Sequence, residues 1–109
     1  MKRAGRFNEA LSYYRSAMDL DPANPIVLYN TGILHNIRSE YPDAIQHLQN
    51  SIENSKDNVY AYLALGDALE RQKEHKEALR IYKELLSLGT KVHGLKERIS
   101  YLENVLAAE

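Results

Sequence analysis

With 109 residues, 44% of them hydrophobic and 27% charged, the chain suffices for one small globular unit and is too short for a second. Fourteen Lys plus Arg against fifteen Asp plus Glu give a formal charge of −1, so no long-range field favours nucleic acid or an anionic membrane; zero Cys excludes disulfides, thiolate nucleophiles and thiolate-held metal. Apolar runs of a few residues, and an opening MKRAGRFNEA with no hydrophobic stretch, contain neither a membrane span nor a secretory signal, and the expectation is a soluble, cytoplasmic chain.

Five Gly and three Pro in a mixture rich in Leu, Ala, Glu and Lys predict helices. The first is expected at Asn8 to Leu20, where Asp21-Pro22-Ala23-Asn24-Pro25 ends it, because proline lacks an N–H and restricts the residue before it. Helices follow at Ile26 to Arg38 and Pro42 to Asn54, then at Tyr60 to Gln72 and Lys76 to Leu88, with Ser55-Lys56-Asp57-Asn58 as the middle turn. Pro42 suits a first helical turn, where its missing donor is harmless, and Asp43 suits the positive end of the dipole. The links Ser39 to Tyr41 and Lys73 to His75 are too short for anything but antiparallel hairpins. Beyond Thr90, Val92, Leu95, Ile99, Leu102 and Leu106 form one apolar stripe, with Lys96, Glu97, Arg98, Glu103 and Asn104 on other faces. This predicts a terminal capping helix rather than a coiled coil, for which fewer than three heptads are present.

The helices repeat. Ala10, Ala44 and Ala78 recur every 34 residues, each preceded by an acid and followed by an aliphatic residue. Tyr14, Leu48 and Tyr82 lie four residues on and Met18, Ile52 and Leu86 eight on, which is one helix face. Gly32 and Gly66 keep the same period, and nine residues after each comes a ring, Tyr41 or His75, with Phe7 in the equivalent first place. Small residues at the glycine and alanine positions let the two helices of a hairpin approach, and Tyr14, Leu48 and Tyr82 are expected to fill the space between neighbouring hairpins. Glycine in a helix costs about 1 kcal/mol, for which close packing compensates; Leu at position 32 or 44 would overpack.

This pattern resembles the tetratricopeptide repeat, a 34-residue helix-turn-helix unit. Its motif is matched in one period by Tyr62, Leu65-Gly66, Leu69, Ala78 and Tyr82, with Leu85 in place of a small residue and Thr90 in place of Pro. In the period before, it is matched by Leu28, Thr31-Gly32, His35, Ala44, Leu48 and Ser51, with Lys56 where Pro is usual, and the first period supplies Ala10, Tyr14, Ala17 and Pro22. The resemblance implies an all-α, right-handed superhelix of antiparallel hairpins in one domain: residues 5–24 as the second half of a repeat, 25–58 and 59–91 as full repeats, and 92–107 as the capping helix. Helix Asn8 to Leu20 then lacks its hairpin partner, Met1 reads as the start of a piece of a longer array, and apolar surface around Leu11, Tyr14 and Met18 is expected to invite a second copy.

Reactive chemistry has no signal. His35, His47, His75 and His93 form no H-x-x-x-H or HExxH spacing; His35 takes a core aromatic's place, and His47 and His75 are expected at the surface. Glu70/Lys73, Glu74/Lys76/Glu77 and Arg80/Glu84 read as solvated helix pairs. No phosphate-binding glycine loop, nucleophile elbow or glycosylation sequence occurs, so no catalytic residue, cofactor or metal is expected and an enzyme is the least favoured class.

What remains is a surface. The resemblance implies a concave groove lined by the first helix of each hairpin: Ile26, Tyr29, Asn30, Ile33 and Ile37, then Tyr60, Leu63, Ala64, Asp67 and Arg71. Partner-binding residues are expected at Tyr29, Asn30, Ile33, Tyr60, Leu63, Asp67 and Arg71, gripping a peptide or helix of another protein as a scaffold or adaptor; Ile33 and Leu63 could equally pack between hairpins. The rival reading is a structural or oligomerisation segment of a longer array. One subfamily clamps the acidic tails of chaperones with Lys and Asn side chains and an Arg; Asn30 matches its middle Asn, but Tyr60 and Ala64 stand where Lys and Arg are required.

Overall fold

The structure, a computed structural model, describes residues 2–109, with side chains from residue 6 onward. It is all helix among those residues: α1 Lys2–Leu20, α2 Pro25–Ile37, α3 Tyr41–Asn54, α4 Val59–Arg71, α5 His75–Ser87 and α6 Leu95–Ala108. Each helix packs on its chain neighbour, and α2 also meets α4, giving a right-handed stack of hairpins measuring 42 × 30 × 21 Å. The predicted helices are all present with shifted ends. α1 starts at Lys2 rather than Asn8, α3 and α5 start one residue early, and α6 starts at Leu95 because Gly94 sits in the left-handed region at φ 80°.

The 34-residue period is written into the backbone. Asn24 and Asn58 cap α2 and α4 alike: Asn24 Oδ1 accepts from the amides of Ile26 at 3.0 Å and Val27 at 3.3 Å, and Asn58 Oδ1 from Tyr60 at 3.1 Å and Ala61 at 3.3 Å. At the hairpin tips Ser39 (φ 60°) and Lys73 (φ 61°) adopt the left-handed conformation without glycine. The next amide then reaches back to the helix, from Glu40 to the His35 carbonyl at 2.8 Å and from Glu74 to the Leu69 carbonyl at 2.9 Å. Each chain reversal therefore takes three residues, and the helices it joins must lie side by side.

The core runs from α3 to α6 and contains Leu48, Tyr62, Leu65, Ala78, Tyr82, Leu85, Leu95 and Leu102. A methyl added to Gly32 would lie 2.6 Å from Leu48 Cγ, and one added to Gly66 would lie 2.4 Å from Tyr82 Cε1 and Cζ. The bulky residues thus fill the space inside their own hairpins, directly on the glycines, rather than the space between hairpins. Thr31 and Ser51 are buried because backbone carbonyls accept their hydroxyls, Val27 O at 2.8 Å and Pro25 O at 2.7 Å. In place of the expected Glu70/Lys73 pair, Glu70 accepts from Tyr82 Oη at 2.8 Å and meets Arg98 at 3.4 Å, tying α4 to α5 and α6. Arg80 keeps its expected partner Glu84 at 3.5 Å and adds Glu77 at 3.2 Å.

Candidate functional site

The first helices of the hairpins, α2 and α4, present one continuous wall. Between them lies a hollow of about 450 Å³ lined by Ile33, Asn36, Ile37, Ser39, Tyr41, Ala64, Asp67 and Arg71. Helical spacing puts Ile33 and Ile37 on one stripe of α2, and Asp67 and Arg71, 34 residues later, on the matching stripe of α4. The hollow therefore has an apolar side and a charged side. Ile37 is 64% exposed, an apolar surface left open among the described residues.

Arg71 is held by two neighbours. Its Nε donates to Asp67 Oδ2 at 3.3 Å, and its guanidinium lies 6.0 Å from the Tyr41 ring centre. Asp67 first, and Tyr41 second, push the Arg71 pKa up, so the charge is permanent. Asn36 donates through Nδ2 to the Ala64 carbonyl at 3.2 Å, fixing α2 against α4. Its Oδ1 is the buried side-chain atom left without a partner among the described residues, an acceptor inside the wall. Tyr41 Oη donates to Ser39 Oγ at 3.2 Å, which sets the ring at the mouth of the hollow.

Of the seven residues expected to bind a partner, Ile33, Asp67 and Arg71 come together in this hollow. Tyr29 and Leu63 are half-buried and lean on the core, Asn30 is half-buried, and Tyr60 stands 70% exposed at the start of α4. Asn36, Ser39 and Tyr41 were not among the seven. Tyr41 carried a signal, its place nine residues after Gly32, but only the turn geometry brings it over Arg71.

Of the histidines, His47 and His75 depart from expectation. His35 is buried as a core residue, but it contacts Glu40 through Nδ1 at 2.9 Å and stacks on His47 with ring centres 5.3 Å apart. His47 is half-buried rather than at the surface, and half-buried His75 meets Glu109 at 3.1 Å. At the α1 end a second hollow, about 480 Å³ and mostly apolar, is lined by Arg6, Phe7, Ala10, Leu34 and Ile37. Leu11, Tyr14 and Met18 are half-buried. No helix among the described residues is long and apolar enough to cross a membrane.

Comparison with known proteins agrees with this architecture. The chain is 29% identical over 105 residues to a Hsp70-Hsp90 organizing protein of Triticum aestivum, covering 96% of the chain and 18% of that protein. It is 29% identical over 79 residues to the BBSome complex member BBS4 of Bos taurus, covering 72% of the chain and 15% of that protein. The chain thus spans less than a fifth of the curated relatives it matches. Among solved structures, MamA superposes with a TM-score of 0.85 at 21% identity, covering 97% of this chain and 62% of that one. The first TPR of Spaghetti (RPAP3), bound to the HSP90 peptide SRMEEVD, superposes at 0.80 with 22% identity, covering 96% and 85%. The tetratricopeptide repeat model matches residues 2–58 and 38–91, and with five helices in three in-phase periods and a sixth after them the chain belongs to the tetratricopeptide repeat family.

Proposed function

We propose that the α2–α4 wall binds a peptide or a single helix of a partner protein, held by burial of apolar anchors against Ile33 and Ile37 and oriented by Asp67, Arg71 and Tyr41. The observation that carries this reading is the hollow itself, which brings half-buried Ile33, exposed Ile37 and a fixed guanidinium together in one place. A relative bound to an acidic chaperone peptide supports a peptide-binding role for the fold. The recognition chemistry here is different, because Tyr60 and Ala64 replace the clamp cations, and Arg71, which lines the hollow, is already paired with Asp67. The protein would then serve as an adaptor in a longer array.

The test is selection from a displayed peptide library, followed by titration of the selected peptides. Sequences with two or more apolar anchors are expected, and each of Ile33→Ser, Tyr60→Ala and Arg71→Ala should weaken them about tenfold, roughly 1.4 kcal/mol, with helicity unchanged. The peptide SRMEEVD is the counter-probe: tight, salt-sensitive binding lost in Asn30→Ala would replace this reading with a clamp. The apolar hollow at Phe7, Ala10, Leu34 and Ile37 favours a second reading, self-association through α1. A monomer mass constant from low to high micromolar in sedimentation would eliminate it.

A further inference from the structure

We propose that His35, Glu40 and Asp43 form a binding site for a divalent transition-metal ion of the zinc type at the tip of the α2–α3 hairpin. One donor atom from each lies within 4.8 Å of the other two, and His35 Nδ1 is already 2.9 Å from Glu40 Oε1. The left-handed turn at Ser39 brings them together by folding the start of α3 back beside the end of α2. A tetrahedral ion with bonds of about 2.0 Å keeps its donors about 3.3 Å apart, so the His35–Glu40 pair would open by a few tenths of an ångström and the exposed Asp43 carboxylate would close in by up to about 1.5 Å. One imidazole with two carboxylates suits Zn(II) or Co(II) better than Mg(II) or Ca(II), which require oxygen donors throughout. The fourth position would hold water.

The other full repeat provides an internal control. Adding 34 to each number gives Leu69, Glu74, Glu77 and, for His47, Ile81. The carboxylates are kept, but both imidazoles become aliphatic residues, each only 4% exposed. The fold is therefore content with Leu and Ile at these positions, and placing two polar rings there departs from a cheaper solution present in the same molecule. Both rings are arranged as a ligand and its brace. His47 lies nearly parallel to His35, at 16°, and its own Nδ1 is 2.9 Å from the Asp43 carbonyl, so its ring is fixed against the one that would take the metal. The competitor is Arg38, whose Nε is 3.7 Å from Glu40 Oε2 and which swings aside at little cost because it is exposed.

The experiment uses untagged, chelator-stripped protein, titrated with zinc chloride in a calorimeter and with cobalt chloride by visible absorption. One ion per chain at micromolar affinity, with the intense visible bands of low-coordinate Co(II), is expected. The double variant His35→Leu/His47→Ile, which copies the other repeat, should stay helical by circular dichroism and bind at least about tenfold more weakly. Glu40→Gln and Asp43→Asn should each weaken binding and decide the matter if the double variant unfolds. Absence of saturable heat would overturn the proposal. So would undiminished binding in the variants, which would put the ion at His75 and Glu109 or at His93.

Discussion

Gly66→Ala tests the idea that hairpin geometry is set by a glycine under a ring. Alanine relieves the helix penalty of glycine, a gain of about 1 kcal/mol. Against this, the new methyl would occupy the space of Tyr82 Cε1 and Cζ, with Oη only 2.8 Å away. That ring is 5% exposed and its hydroxyl donates to Glu70 at 2.8 Å, so it has no free direction in which to retreat. Overpacking of this kind costs roughly 1–3 kcal/mol, and a lost hydrogen bond about 0.5–1.5 kcal/mol. The sum is a net destabilisation of about 0.5–3.5 kcal/mol, readable as a lower urea midpoint at constant slope. In the Tyr82→Ala background the clash is gone, and the same Gly66→Ala change should stabilise by about 1 kcal/mol. The sign must reverse between the two backgrounds. Destabilisation of equal size in both would show that the glycine is there for some reason other than the ring.

Other consequences are read by the same unfolding assay. Asn58→Ala removes the acceptor for the Tyr60 and Ala61 amides and should cost about 1 kcal/mol, with Asn24→Ala costing a similar amount at the equivalent cap. Ser39→Gly relieves a left-handed residue at φ 60°, and should stabilise by about 0.5–1 kcal/mol once the added freedom of the unfolded chain is subtracted. Burial first, and Glu70 second, raise the Tyr82 pKa above its ordinary 10, so the folded state keeps a proton that the unfolded state releases. That contribution is whole below pH 10 and lost above it, at about 1.4 kcal/mol per pH unit, and Tyr82→Phe should flatten the alkaline limb by that amount.

The period was legible because it depends on residue size. A glycine or alanine can be read as a close approach, and the two glycines with Ala44 and Ala78 are indeed buried at the hairpin contacts. Helix ends were less legible, because the residues that stop α2 and α4 are Ser39 and Lys73, which in sequence give no sign of a positive φ. Asp67 and Arg71 could be placed together from helical spacing alone. Asn36 and Tyr41 could not, since their parts depend on a carbonyl of another helix and on a turn. His35 was legible as a core residue but not as a partner of Glu40. Five residues apart is no helical neighbour, and the contact exists only because the chain reverses between them.

The two full repeats keep the same small residues at their hairpin contacts while their walls diverge, and this separates stability from recognition. Gly32 and Gly66, and likewise Ala44 and Ala78, are equivalent pairs whose members meet the same demands of close packing. On the wall, Ile33 becomes Asp67 and Ile37 becomes Arg71 at the same helical positions. Close packing within a hairpin does not fix those side chains, because they line the hollow and are partly exposed. On the proposed reading, a bound segment crossing from α2 to α4 moves from an apolar surface to a charged one. That change breaks the symmetry that two copies of one unit would otherwise present, and it gives a peptide one preferred direction. Exchanging the pairs, with Ile33→Asp/Ile37→Arg and Asp67→Ile/Arg71→Ile together, leaves the core untouched and reverses the sequence polarity of whatever ligand the wall selects.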